Sequence, residues 1–333
     1  METSIKKIID EALSGRVIDE NEIKQLYKVP LFSEESFYIQ WAGRKMSEEC
    51  SGGIAEVHGQ VGVNSGPCSC NCAFCSFAAA NKVFSEQHVE PTEEIINKCL
   101  TLQKQGANAI YLMATATFSF SIFLEIARLV HRHLDGSIPL IANVGDFNQE
   151  MALALKEAGF TGVYHAMRLG EGQATRIDPQ KRLRSMTAAR EAGLLLGTCV
   201  EPVGPEHSLD ELVQKTVIAR EAHPVFSGAM RRINIPDTEL CGYGMTSEAR
   251  MAHILSVVRL AMGYGIAGNC THEPNVAGAQ AGANLFWAEA GSNPRDVVKE
   301  TESSRGYDMK RCRNILAEAE WKILQGPSRF FGI

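Results

Sequence analysis

Gly66-Pro67-Cys68-Ser69-Cys70-Asn71-Cys72-Ala73-Phe74-Cys75-Ser76-Phe77 is the stretch on which the chain is organised. Cys68, Cys72 and Cys75 stand at C-x3-C-x2-C spacing. Thiolates this close can wrap one soft metal centre from a single loop. Zinc would want a fourth protein ligand and usually arrives with paired C-x2-C elements. A [4Fe-4S] cluster on three cysteines instead leaves one iron open, where a small molecule can chelate.

Outward from this loop, the sequence alternates between short apolar strands and helices. Ile54 to Val57 reads as a strand leading into the cysteines. Further strands are expected at Ala109 to Met113, Ile138 to Ala142, Gly162 to His165, Leu194 to Thr198, Arg232 to Ile235, Gly265 to Ala267 and Ala283 to Trp287. Helices fill the gaps, at Thr92 to Gln105, Ser121 to His133, Gln149 to Ala158, Pro179 to Ala192, Leu209 to Ala222 and Ser247 to Met262. A last helix is expected from Asp308 to about Leu324.

Nearly all-apolar strands with helical crossovers indicate a parallel sheet buried on both faces. Eight units favour a closed TIM-type (β/α)8 barrel, whose chemistry sits in the loops after the strands. The cysteine loop lies in such a place. An open doubly wound sheet is the alternative, without a Gly-x-Gly-x-x-Gly fingerprint to support it. Residues 1–50 read as a helical extension, with Ile5, Ile8, Ile9 and Leu13 on one face, and residues 51–333 as the barrel with its C-terminal helix.

The 333 residues are 45% apolar and carry a net charge of -6, which argues against nucleic acid as a partner. No apolar run approaches the roughly 20 residues of a membrane helix. The start, Met1 to Lys7, lacks a signal-peptide core, so a cytoplasmic protein is expected. Ten cysteines in a reducing compartment then point to metal or redox chemistry rather than a disulfide framework.

The spacing of Cys68, Cys72 and Cys75, with Phe74 just before the third cysteine at the end of a first strand, resembles the radical S-adenosylmethionine (SAM) superfamily. Gly193-Leu194-Leu195, Glu201 to His207 and Ala281 to Asn284 resemble its biotin synthase branch, and Gly306 to Trp321 its less-characterised relatives. The resemblance implies a [4Fe-4S] cluster on Cys68, Cys72 and Cys75, with SAM chelating the open iron and yielding a 5′-deoxyadenosyl radical. It places Phe74 against the adenine, and Met113 and Ala114 near the SAM amino group. It brings Asn143 to the SAM or substrate region, and Arg168 and Glu171 to the carboxylate and ribose. No residue is assigned a catalytic proton transfer.

Biotin synthase also holds a second iron–sulfur cluster on three cysteines and an arginine. Two of those cysteines have no counterpart here. Cys199, Cys241 and Cys270 nevertheless follow predicted strands and could hold an auxiliary cluster; the alternative is that they pack as small apolar side chains. Cys99 and Cys312 read as packing residues, Cys50 has no evident role, and Cys70 is a bystander or spare ligand. His272 and Glu273 suit substrate binding or proton transfer, His207 a helix cap, and Ser303, Ser304 and Arg305 a helix-entry loop.

The first functional expectation is sulfur insertion into unactivated C–H bonds, as in two-protein archaeal-type lipoyl synthase components. It implies an octanoyl carrier protein, a paralogous partner and a low-potential reductant of ferredoxin or flavodoxin type. The second is carbon-skeleton rearrangement or cofactor assembly, on the pattern of methylornithine synthase or the [Fe]-hydrogenase cofactor maturase. The third is a non-enzymatic iron–sulfur carrier.

Overall fold

The computed structural model of the chain describes residues 3–332. Met1, Glu2 and Ile333, at the outer ends of the two expected segments, lie outside the described residues.

Three helices come first: α1 (Thr3–Leu13), α2 (Glu20–Lys28) and α3 (Glu34–Ser51). Ile5, Ile8, Ile9 and Ala12 form the buried face of α1. Asp19 and Glu22 close a reciprocal capping box on α2, and a cap of this kind contributes about 1 kcal/mol. Ser33 caps α3, and Gly52 ends it in the left-handed conformation.

Strand β1 (Ile54–Gly62) opens the barrel, followed by α4 (Thr92–Lys104), β2 (Ile110–Met113), α5 (Phe120–His133) and β3 (Leu140–Asn143). Next come α6 (Gln149–Glu157), β4 (Gly162–Tyr164), α7 (Pro179–Glu191), β5 (Leu195–Gly197) and the accessory strand β6 (Val200–Val203). The chain continues through α8 (Leu209–Glu221), β7 (Phe226–Arg231), α9 (Glu248–Met262), β8 (Gly268–Cys270), α10 (Val276–Gln280) and β9 (Leu285–Gly291). It finishes with α11 (Met309–Glu318) and β10 (Lys322–Ile323).

All pairings are parallel, in the order β1-β2-β3-β4-β5-β7-β8-β9, and β9 pairs back to β1 over seven residues from Glu56↔Leu285 to Gly62↔Gly291. The barrel is closed, a TIM-type (β/α)8 fold. Along β1, side chains alternate between lumen and helix layer. Gly59 faces outward, where a Cβ would stand 2.9 Å from Leu102. Glu56, His58 and Gln60 therefore face inward, and all three are buried.

The N-terminal helices pack onto the barrel's own helices. Gly43 on α3 approaches α9 so closely that a Cβ would meet Ser256 Cβ at 2.9 Å. His253 on α9 sits 2.9 Å from the Leu26 carbonyl and 3.2 Å from Ser36 Oγ. Covered on both sides, α9 is buried continuously from Met251 to Met262.

Three expectations shift. The strand expected at Arg232 to Ile235 lies at β7, where Ser227, Gly228 and Ala229 conceal a core strand among small residues. The strand expected at Gly265 to Ala267 begins at Gly268 instead. The last helix stops at Glu318 rather than near Leu324, because Glu320 turns left-handed (φ 59°) and the chain enters β10 beside β1.

Residues 328–331 then fold under the barrel. Phe330 and Phe331 join Tyr111, Tyr164, Phe226 and Trp287 in one apolar cluster inside the lumen. Glu56 secures this plug: it accepts the Ser328 hydroxyl, the Arg329 N–H at 2.7 Å and the Phe330 N–H at 3.3 Å. One end of the lumen is thereby sealed, and the other stays open above the aromatic floor.

Candidate functional site

The cysteine loop leaves β1 and is held by backbone hydrogen bonds on every side. Cys68 N–H donates to the Phe77 carbonyl at 2.7 Å, and Ala79 N–H to the Cys68 carbonyl at 3.0 Å. This tight closure needs Gly66, since a Cβ there would lie 2.3 Å from the Phe77 oxygen. Ala73 N–H reaches the Ala174 carbonyl at 2.8 Å, and Arg176 N–H reaches the Cys70 carbonyl at 2.8 Å, tying the loop to the segment after β4. On the other flank Ser76 N–H donates to the Pro294 carbonyl at 2.9 Å. Asn81 Nδ2 supports the Cys75 carbonyl at 2.8 Å.

Cys68, Cys72 and Cys75 all line one cavity at the open end of the barrel, with about 1210 Å³ of empty space including its mouth. The thiols differ electrostatically. The neighbouring Cys70 thiol, against the effect of burial, pulls Cys68 down to about 5, and Thr117 Oγ1, 3.7 Å from the sulfur, acts in the same direction. Burial pushes Cys72 up, opposed by the Arg168 guanidinium, and pushes Cys75 up to about 12. Cys72 and Cys75 thus resist ionising until something binds that takes their protons, which is how metal binding couples to deprotonation.

Among the described residues, no three His, Cys, Asp or Glu side chains converge on a position for one metal ion. An iron–sulfur cluster makes a different demand, because each thiolate meets its own iron. Three thiols spread along one wall of a roomy cavity fit such a group. Cys70, read from the sequence as a bystander or spare ligand, also lines the cavity beside Cys68.

Five of the six residues expected around SAM share this cavity: Phe74, Met113, Ala114, Asn143 and Arg168. Met113 and Asn143 end adjacent strands and pair in register. Burial works against the Arg168 charge, and Glu201, 3.5 Å from its Nε, outweighs it together with Glu171. Glu171 stands apart. Its carboxylate is turned away from the cavity, accepting Thr175 Oγ1 at 2.6 Å and Arg182 Nε at 3.1 Å. Beside a buried guanidinium, a carboxylate is held by charge pairing rather than left for a ligand. Arg182 also meets Asp146 at 3.1 Å, and Asp146 meets His165 at 3.0 Å. Burial lowers His165 to about 4, so this network carries a neutral imidazole.

The three cysteines expected to gather for a second cluster do not do so. Cys199, after β5, and Cys270, ending β8, are joined to each other as a disulfide within the lumen's apolar cluster. Cys241 lies on a short 3-10 turn, with Asn234 Nδ2 3.7 Å from its sulfur. None of the three lines the cavity. Cys99 and Cys312 are buried in the main core, as packing residues would be. Cys50 Sγ accepts from Arg259 at 3.0 Å.

The rest of the cavity lining, apart from His272, was largely missed by sequence reasoning. It is formed by Gln60, Tyr164, Arg231, His272, Trp287 and Arg295, among others. His272 stacks on Trp287 with centroids 4.6 Å apart, and burial drives its pKa well down, keeping it neutral. Glu273 instead pairs with Arg305 at 2.6 Å. Ser304 Oγ donates to Asp296 at 3.1 Å, and His207 bridges the Pro202 carbonyl at 3.0 Å and Glu211 at 3.2 Å, so these are structural contacts. A signal existed for Gln60. Glu56-x-His58-x-Gln60 is a polar alternation within a buried strand, the mark of side chains pointing into a polar lumen.

Comparison with known proteins agrees with this geometry. The sequence profile of the Radical SAM superfamily matches residues 66–217. The biotin synthase of Pelotomaculum thermopropionicum is 24% identical over 205 residues, covering 58% of this chain and 59% of its own length. That of Endomicrobium trichonymphae is 24% identical over 198 residues, covering 57% and 59% respectively. The chain therefore spans less than two thirds of these relatives. Among solved structures, methylornithine synthase (PylB) superposes with a TM-score of 0.79 at 18% identity, over 97% of this chain and 98% of that one. The [FeFe]-hydrogenase maturase HydG from Carboxydothermus hydrogenoformans gives 0.80 at 16% identity, over 98% and 81%. Likeness at such identity establishes the shared barrel. No helix among the described residues is long and apolar enough to cross a membrane.

Proposed function

We propose that the chain is a radical SAM enzyme of the biotin synthase-like branch, supported by the family match over residues 66–217 and by its relatives, and that it removes a hydrogen atom from a small polar substrate held in the barrel lumen. A [4Fe-4S] cluster with SAM, when bound, supplies a 5′-deoxyadenosyl radical for that step. Cys68, Cys72 and Cys75 would hold the cluster. Phe74, Met113, Ala114, Asn143 and Arg168 line the space beside it where SAM would lie. Glu171 acts at one remove, fixing Arg182, which lines the same cavity.

The chain's own contribution is to orient the two molecules and exclude water. The floor of aromatic rings and the C-terminal plug close the lumen from below, so a reactive carbon can be held away from solvent. A low-potential reductant of ferredoxin or flavodoxin type would deliver the electron.

The observation that carries the finer reading is the pairing of Cys199 with Cys270, apart from the cavity. With those thiols engaged, the chain offers one cluster loop and no assembled second set. This favours hydrogen abstraction leading to rearrangement or cofactor assembly; a methylornithine synthase is built on the same barrel. Sulfur insertion is the second reading, supported by the biotin synthase relatives and by thiols that reduction would free. In that case a carrier-bound octanoyl chain and a paralogous partner would be its companions.

Iron and sulfide counting on the anaerobically reconstituted protein separates the two. About four irons per chain, unchanged by Cys199→Ser or Cys270→Ser, is expected from a single cluster. A second complement of iron that vanishes in those variants would favour the sulfur-insertion reading instead.

A further inference from the structure

Part of the cavity lining beyond the cysteine loop carries buried donors whose hydrogen bonding within the protein is incomplete. Tyr164, 7% exposed, makes no hydrogen bond of normal geometry through its hydroxyl, although the Glu201 carboxylate lies near enough to act on it. Trp287 Nε1, which faces the Tyr111 hydroxyl, and Arg231 Nε make none of normal geometry either. All three residues line the cavity. Native proteins leave few buried polar groups unsatisfied, and a cluster facing a cavity marks where a ligand's acceptor atoms belong.

Charge points the same way. Five arginines and one glutamate, Glu201, face this cavity, and the carboxylates that balance the arginines stand mostly behind them. Arg168 is engaged by Glu201, Arg182 by Glu171 and Asp146, and Arg232 by both oxygens of Glu206. Arg231 is the freest: its ion-pair partner, Glu248, is exposed and 3.6 Å away. Arg295 pairs with Glu289 and projects its field onto Tyr164 and His272.

We propose that the inner half of the cavity recognises a free small carboxylate. Its oxygens would be held by the Tyr164 hydroxyl and Arg231, with Arg295 adding positive charge. The assignment of that carboxylate as the substrate rests on the radical reading above. A hydrocarbon chain carried on a protein fits this wall badly, because it would dehydrate the same donors and give them nothing to bond. The arginine fork, by contrast, matches a carboxylate in geometry as well as charge.

The test uses the full chain loaded with its cluster, unreduced and saturated with SAM, so that the SAM carboxylate site is filled. Calorimetric titration compares free carboxylates from acetate to octanoate, with and without an α-amino group, each against its neutral primary amide. At least one carboxylate should bind roughly tenfold or more tightly than its amide. Tyr164→Phe should cut that affinity roughly tenfold while leaving the melting temperature unchanged or raised, since the lost hydroxyl makes no well-formed hydrogen bond in the protein. Arg231→Gln should abolish the preference for charge. Failure of every carboxylate to bind, equal binding of acid and amide, or unchanged affinity in Tyr164→Phe would overturn the proposal. The radical reading is separated by assaying 5′-deoxyadenosine in the reduced wild type. Cleavage without carboxylate preference overturns the substrate class alone. Carboxylate preference without cleavage overturns that ligand's status as a radical substrate.

Discussion

The two walls of the cavity are built by opposite means. The cysteine wall is a contiguous run from Cys68 to Cys75, fixed by backbone hydrogen bonds to Phe77, Ala174 and Pro294. The facing wall takes a side chain or two from each of several strands and loops: Gln60 from β1, Tyr164 from β4, Arg231 from β7, Trp287 from β9. The first is local and depends on few residues for its chemistry. The second depends on the barrel's closure, and its residues are also part of the core. Substitutions should therefore separate the walls into one that loses chemistry and one that loses stability as well.

The largest effect is expected on the cysteine wall. Cys75→Ser should abolish the iron-dependent visible absorbance of the reconstituted protein while leaving its far-ultraviolet circular dichroism intact. Retention of full absorbance would mean that the loop does not hold the cluster. Next comes Trp287→Ala. Its ring is buried against Tyr111, Phe226 and His272, and its removal should destabilise the fold by about 3–5 kcal/mol in a urea titration. A cost below about 1 kcal/mol would show that this wall is not part of the core.

The sequence separated these walls in the same way. Short-range features were readable: the cysteine spacing, the helix caps, and the alternation of apolar strands and helices that led to a closed barrel. Features created by closure were not. Arg295 and Tyr164 are 131 positions apart in sequence, and nothing local says that they act on one another. Strand β7 escaped because Ser227-Gly228-Ala229 has no apolar pattern, although Gly228 is required where a Cβ would lie 2.0 Å from the Cys270 oxygen. Glu171 was misplaced because one sequence does not reveal that Arg182, a helical turn into α7, would claim it. Cys199 and Cys270 lie together, but they meet each other rather than Cys241 and stand apart from the cavity.

A smaller effect concerns the support behind the cysteine wall and beneath the N-terminal helices. Burial lowers both His165 and His253 to about 4, below the ordinary value of 6.5. The unfolded chain therefore binds more protons than the folded one between those values, so stability rises with pH across that window. Urea unfolding should show a stability loss on acidification from about pH 6.5 to about pH 4, and a plateau above it. The loss should shrink in His253→Gln. A flat profile would mean that neither imidazole is held neutral. The smallest expected effect is at Cys241→Ser, on its exposed-side turn: iron content and stability should match the wild type. Loss of iron there would return Cys241 to a ligand role.

The central claim is that the cysteine wall sustains reductive cleavage of SAM. The most direct measurement is 5′-deoxyadenosine formed by the anaerobically reconstituted full chain with SAM and dithionite, alongside the Cys68→Ser, Cys72→Ser and Cys75→Ser variants. The account predicts time-dependent 5′-deoxyadenosine from the wild type and none above background from any of the three. A cluster-loaded wild type that leaves SAM intact, or a variant that cleaves it at the wild-type rate, would contradict it.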